Sequence, residues 1–390
     1  MNKEVMKFDY FGRGIIKDNN KVIFVDKALP KDIIDYEIIK DKKKYCEARI
    51  KKIIKESPFR IKVKCPYYEY CGGCDFLHCK DIVEKDFKIN KAIELFGRCD
   101  GYFDTNFNYR NKVTLHIKNN KIGYFKEKSN DIININSCLI VNPLINKIID
   151  KLNKIDFSKY KITKIIIKCN LDNILLYLDS EVDSDFIDCF NDVNTIIVKD
   201  KIIKGNGYIN EIIDNKVFKI TPHAFFQVNK DGLRHILNII KEYIESKNIN
   251  NMLDLYCGAS LWGILLSDYC NKITGIEINK EACDNALINI KKNNISNIKI
   301  INGKVEDYIN NFKNIDLIIV DPPRSGLDKK TVDYLKKINA NYLIYVSCDM
   351  LSLKRDLDIL SDNYDIDKLY LVNMFKKTYH CEVVTILERR

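Results

Sequence analysis

Residues 251–278 read NMLDLYCGASLWGILLSDYCNKITGIEI, and this stretch decides the fold of the C-terminal third. Two largely apolar runs (Met252–Leu255 and Ile273–Ile278) flank a segment with helical spacing, the signature of a strand–helix–strand unit. DLYCGAS (Asp254–Ser260) closes the first run and opens the helix. A glycine here lets a ligand lie against the backbone and the helix N-terminus. The second run reaches Glu277 at its tip, where a carboxylate can accept hydrogen bonds from both hydroxyls of a ribose. The loop lacks G-x-G-x-x-G and has no phosphate-cradling turn, which argues against a dinucleotide.

Working outward, the same rhythm continues to the C-terminus. NIKII, DLIIVDPP, NYLIYVSC, DIDKLYLVNMF and EVVTILE are the further candidate strands, with helices at about 259–268, 279–293, 328–337 and 350–360. This predicts a doubly wound, mostly parallel α/β domain whose ligand sits at the C-terminal strand ends. Upstream, residues 1–56 read as short strands broken by turns, which fits a small β-barrel of the kind that binds nucleic acid. Gly12 and Gly14 fall where positive φ or close backbone approach is expected. Between them, KVTLHIK, KITKIIIKC, NILLYLD and NTIIVKD are strands of an α+β segment with a helix over Asp81–Phe96. The expected domains are 1–56, 57–245 and 246–390.

The chain has 390 residues, 46% hydrophobic, enough for real cores and against global disorder. Lys plus Arg total 64 against 54 for Asp plus Glu, giving net +10, which suits an acidic partner such as nucleic acid or simply a solvated lysine-rich surface. No apolar stretch approaches a membrane span and no leader pattern opens the sequence, so a cytoplasmic location without membrane attachment is expected. In that compartment the 14 cysteines stay reduced. Cys65, Cys71 and Cys74 have C-x5-C-x2-C spacing, Gly72 and Gly73 permit a tight turn, and Cys138 follows downstream. Four thiolates can bind Zn²⁺ or an iron–sulfur cluster, and spacing does not choose between them. Tyr67, Tyr68 and Phe76 are candidates to shield such a site.

Three further motifs end strands on one sheet edge. DPPR (Asp321–Arg324) has two prolines that force a rigid turn, YVSC ends on Cys348, and HCEVV places Glu382 in the same cleft. The ordered series FFQVN (Phe225–Asn229), DLYCG, GIE, DPPR, YVSC and T-x-H-x-E (Thr378–Glu382) resembles the RNA uracil-C5 methyltransferase family, and most of all its 23S ribosomal RNA branch. GRG near the N-terminus is similar to that family's TRAM barrel, and YRNK (Tyr109–Lys112) to its central domain.

The resemblance implies a class I, Rossmann-like methyltransferase domain behind an α+β domain and a TRAM/OB-like barrel. It implies S-adenosylmethionine as methyl donor, Cys348 as nucleophile and Glu382 as the base that removes the C5 proton. Gln227, Tyr256, Glu277 and Asp321 match positions that contact the donor. It also implies a [4Fe–4S] cluster on Cys65, Cys71, Cys74 and Cys138, in preference to Zn²⁺. The chemistry is consistent: a thiolate adding to C6 of uracil turns C5 into a nucleophile for the methyl, and a carboxylate then takes the C5 proton. The expected partner is RNA, with 23S ribosomal RNA first, no obligate protein partner and a monomeric chain. Arg110, Lys112 and Lys118 are candidates to grip flanking nucleotides. Transfer RNA is the alternative substrate, and a silent RNA-binding iron–sulfur protein the third reading. Ser260 stands where the family has a second glycine, Asp349 follows the nucleophile where it has asparagine, and Cys381 takes a usually aliphatic place.

Overall fold

The computed structural model describes residues 2–18, 20–127 and 129–390. Its N-terminal sheet has six strand segments: Lys3–Glu4, Lys7–Phe8, Gly14–Asp18, Lys21–Val25, Ile33–Asp41 and Tyr45–Lys55. Lys3–Glu4 pairs with Ile33–Ile34, and Lys7–Phe8 pairs with Gly14–Ile15. Between them Val5 N–H donates to Asp32 O and Met6 N–H to Ile15 O, at 2.8 and 2.9 Å. One kinked segment thus joins both edges and closes the sheet into the small barrel the sequence predicts. Val5, Ile16, Ile23, Val25, Ile34 and Ala48 fill it. Both early glycines are required: Gly12 has φ +80°, and a Cβ on Gly14 lies 2.7 Å from the Val5 side chain.

The middle of the chain forms a seven-stranded sheet from Lys112–Lys118 to Lys201–Lys204, backed by the helix Pro143–Leu152. Pro143 and the Asn142 cap, which accepts from Leu144 N–H at 2.9 Å, start that helix, and Ile145, Ile148, Ile149 and Leu152 form its buried stripe.

The C-terminal sheet sets Ile298–Asn302, Cys270–Glu277, Ile249–Leu255, Leu317–Val320 and Tyr342–Ser347 side by side, all parallel. Glu382–Arg389 then inserts antiparallel between Tyr342–Ser347 and Tyr364–Val372. Leu253, Leu255, Leu317, Ile318, Ile319 and Val320 are almost completely buried, as expected for strands covered on both faces. Each such side chain contributes roughly 1.5–3 kcal/mol over an exposed one. An eighth strand, Gly101–Phe103, pairs parallel to Tyr370–Val372. The helix Asp81–Phe96 covers the same side, with Ala92 buried in the core that holds Leu253 and Leu353. Residues 81–103, grouped with the middle segment on sequence grounds, therefore pack with the last sheet. Their contacts reach residues far along the chain: Ala92 shares a core with Leu253 and Leu353, and Arg98 donates to Ile366 O and Asp367 O. Among the described residues, no helix is long and apolar enough to cross a membrane.

Candidate active site

Four strand ends meet at one edge of the C-terminal sheet. Ser347 pairs with Val383, and the residues just beyond that last pair, Cys348 and Glu382, are near enough for the carboxyl to act on the thiol. Cys348 is partly buried and Glu382 is 3% exposed. Burial, then the neighbouring Glu382, with Asp321 and Asp349 beyond, pushes the Cys348 thiol up to about 12, and only the Arg324 guanidinium opposes this. Burial and Asp321 together hold the Glu382 carboxyl well above the usual carboxylate range. Asp321 is raised to about 6 by burial, against a hydrogen bond donated by Trp262 Nε1 at 3.2 Å. One thiol and two carboxyl groups therefore lie close together, with the Arg324 guanidinium beside them. Arg324 also meets His380, Nη2 to Nε2 at 3.3 Å, and burial and Arg324 lower His380 to about 4, so it stays neutral.

Beside this group lies the loop after Leu255. Tyr256, Gly258 and Ser260 all have positive φ, at 61°, 53° and 59°. The tight path points Gly258 N–H at Glu277 Oε2, 3.0 Å away, while Glu277 Oε1 accepts from Asn279 N–H at 2.7 Å. Asp254 is buried, accepts from Gly263 N–H at 3.0 Å, and is raised by burial to about 8. A cavity of about 390 Å³ opens next to Glu277, lined by Tyr256, Ile278, Val305, Glu306 and Pro323. Apolar walls with a few polar groups suit a flat nucleobase. The Tyr256 hydroxyl turns to Asp328 Oδ2 at 3.1 Å, leaving the ring as the cavity wall.

Gln227 comes from a different loop, Thr221–Asn229, and is buried. Lys168 pins that loop, donating to Thr221 O and Ala224 O, each at 2.7 Å. Asn111 binds Gln227 O and Val228 O, and Asn229 Nδ2 donates to Met374 O, which lies on the segment leading to Glu382. YRNK and FFQVN are thus joined by a main-chain and a side-chain hydrogen bond, and the Asn229 side chain ties FFQVN to the segment that leads to T-x-H-x-E. Arg110 and Lys112 line the cysteine cavity described next, whereas Lys118 is exposed and meets Asn130 O and Asp131.

Cys65, Cys71, Cys74 and Cys138 all line one cavity of about 680 Å³. Burial raises the thiols of Cys71, Cys74 and Cys138, and each of these thiols is raised further by others of the four. Among the described residues, no three His, Cys, Asp or Glu side chains close around a single point as one metal ion requires. Tyr67 and Tyr68 form part of the wall. Phe76 does not: its ring is taken up by the apolar cluster of Leu29, Phe87 and Cys79, against Gly12 of the barrel. Cys79 is an apolar core residue of that same cluster.

Sequence reading overlooked Trp262, Arg324 and His380 as parts of this site. DPPR signalled Arg324, and the final motif contains His380. Nothing in the spacing places the Trp262 indole on Asp321.

The family described as tRNA (uracil-5-)-methyltransferase matches residues 83–390. Among curated relatives, an uncharacterized RNA methyltransferase of Fusobacterium nucleatum is 30% identical over 99% of this chain and 95% of its own. One of Aquifex aeolicus is 29% identical over 98% and 97%. Among solved structures, Pyrococcus abyssi tRNA (uracil-54, C5)-methyltransferase in complex with S-adenosyl-L-homocysteine superposes with TM-score 0.84 at 24% identity, covering 99% of this chain and 100% of that one. The class I methyltransferase fold, with its N-terminal β-rich domain, is shared from end to end.

Proposed function

Since this chain belongs to the tRNA (uracil-5-)-methyltransferase family, we propose that it transfers a methyl group from S-adenosylmethionine to C5 of a uridine in RNA. The observation that carries this reading is the closeness of Cys348 and Glu382 at one sheet edge, with Asp321 and Arg324 acting on both.

In this reading Cys348, as thiolate, adds to C6 of the uracil, and the electron pair moves to C5. When bound, the donor supplies the methyl group and a sulfonium charge that lowers the pKa of the acidic groups around it. C5 takes the methyl as the sulfur–methyl bond breaks, leaving S-adenosylhomocysteine. Glu382 removes the C5 proton and the C6–S bond breaks, freeing the thiol. Arg324 offsets the negative charge of Cys348 and Glu382. Glu277 is placed for the ribose hydroxyls and Tyr256 for the base of the donor, with Asp321 at its reactive end and Gln227 on the uracil side. The target base has to leave its stack to reach Cys348, which the barrel and middle segment assist by holding flanking nucleotides.

The four cysteines line one roomy cavity, which supports the reading that they hold a [4Fe–4S] cluster. Such a cluster would order the loop that carries them, and no step of the reaction runs through it. The cavity favours ribosomal RNA, because the bacterial transfer RNA members of the family generally lack these cysteines. The Pyrococcus structure, a transfer RNA enzyme, favours the second reading.

The test is methyl transfer by anaerobically purified protein onto unmodified 23S ribosomal RNA and bulk transfer RNA, with nucleosides identified by mass spectrometry. 5-Methyluridine is expected, absent with Cys348→Ala. Glu382→Gln is expected to slow turnover roughly 10²–10⁴-fold and to accumulate a covalent protein–RNA adduct. Undiminished product from Cys348→Ala would overturn the mechanism, and product in transfer RNA alone would overturn the ribosomal substrate.

A further inference from the structure

The segment between the last two strands, Asn373–Cys381, belongs to neither of them, and its internal support is slight. Thr378 N–H bonds Phe375 O at 3.0 Å, and the ladder resumes only at Glu382. Its position is set from outside. Asp75 N–H and Phe76 N–H both donate to Lys377 O, at 2.7 and 3.1 Å, and the Asp75 carboxylate accepts in return from Tyr379 N–H at 2.9 Å. The Asp75 side of this seam is itself fixed. Tyr68, on the cysteine cavity wall, donates its hydroxyl to Asp75 O at 2.7 Å. Phe76 is fully buried, at 5.0 Å from the Phe87 ring centroid. Lys377 N–H donates to the buried Glu84 carboxylate at 2.8 Å.

We propose that Asp75 is a positioning residue for catalysis, holding the segment that ends on Glu382 against the cysteine-rich loop. This deepens the reaction proposed above and rests on it. Next after Tyr379 comes His380, whose ring meets Arg324, the guanidinium facing Cys348 and Glu382. A shift at Tyr379 therefore moves His380 and the base together. Cys74, one residue before Asp75, lines the cysteine cavity, so the same seam makes the wall of that cavity continuous with the catalytic segment. Proper order in the cysteine loop and correct placement of Glu382 become one property. Misplacing a reacting group by about 1 Å can cost on the order of a hundredfold in rate.

Three variants of the full-length protein test this. Asp75→Ala removes the acceptor, Asp75→Asn keeps a carbonyl oxygen in its place, and Asp75→Glu keeps the charge but displaces the oxygens. Asp75→Ala is expected to lower kcat about tenfold or more, with KM for the methyl donor little changed. Asp75→Asn restores most of the rate, and Asp75→Glu does not. Hydrogen–deuterium exchange of peptides covering 377–381 accelerates in Asp75→Ala but not in Asp75→Asn, while the Ile249–Leu255 strand exchanges as in the wild type. Equal kcat in Asp75→Ala and wild type, or equal loss in Asp75→Ala and Asp75→Asn, would sink the proposal. If Asp75→Ala does not fold, full activity in Asp75→Glu does so instead. Iron measured in each variant separates loss of metal from loss of the seam. If the wild type methylates no RNA, the reaction assignment fails on its own, and unchanged exchange at 377–381 in Asp75→Ala then decides against the seam.

Discussion

At the scale of single residues, the departures from the family pattern have local physical accounts. Ser260 sits at φ 59°, where a glycine is the easier choice, and its hydroxyl fills space beside Gly263. A Cβ on Gly263 would lie 2.5 Å from Ser260 Oγ. The glycine missing at 260 is thus matched by one three residues on, and the pair belongs together. Asp349 has two effects. Its carboxylate caps the helix Met350–Leu360, accepting from Ser352 N–H at 2.8 Å. Its charge also raises the Cys348 thiol, as the last of the causes acting on it. Asp349→Asn keeps the cap, because the amide oxygen still accepts, and removes the charge. The thiolate is the reactive form, and a lower thiol pKa populates it at lower pH. The rising limb of the methyl-transfer rate against pH is therefore expected to move to lower pH in Asp349→Asn, by under about one unit. A limb that stays in place, or moves up, shows that Asp349 does not act on the nucleophile.

At the scale of elements, the loop Thr221–Asn229 depends on a buried lysine. Lys168 is 3% exposed, and burial brings its ammonium down to about 7, the cost of holding two carbonyls away from water. The loop leads into the helix Lys230–Ile244, capped by Asn229 on Gly232 N–H at 3.1 Å. Replacing the lysine by an isosteric apolar chain leaves Thr221 O and Ala224 O without their donor, a cost of about 1–3 kcal/mol each when such groups are buried. Lys168→Met is expected to loosen this loop and weaken what Gln227 binds. The measurable result is a rise of about tenfold in KM for donor or RNA, with the fold retained by circular dichroism. Unchanged KM for both would mean that Asn111 and Asn229 suffice to hold the loop.

At the scale of the whole molecule, the catalytic sheet is not confined to the C-terminal part. Gly101–Phe103 supplies its edge strand, and Asp81–Phe96 covers its face. From the other side, Tyr10 of the barrel faces the main-chain N–H groups of Met350 and Leu351, at the helix start beside Cys348, and Lys91 stands 3.4 Å from the Tyr10 ring centroid. A fragment of residues 246–390 would expose the unpaired edge of Tyr364–Val372 together with apolar surface normally covered by residues 81–103. It is expected to aggregate or elute as large oligomers on size exclusion, whereas a fragment beginning before Asp81 keeps its edge covered. A monodisperse, folded 246–390 fragment would show that the added strand and helix are dispensable.

The order of motifs along the chain determined the family, the doubly wound sheet and the strand tips on which Glu277, Asp321, Cys348 and Glu382 stand. Strand periodicity and turn residues are local signals, and a parallel sheet necessarily gathers its C-terminal strand ends on one edge. The closed barrel at the N-terminus was legible for the same reason. Contacts between residues far apart in sequence were not. The indole of Trp262 on Asp321, the lysine under the Gln227 loop, the strand lent by residues 101–103 and the seam from Asp75 to Tyr379 depend on which surfaces meet after folding. Those meetings follow from side-chain packing and from buried polar groups finding partners, which no local pattern encodes.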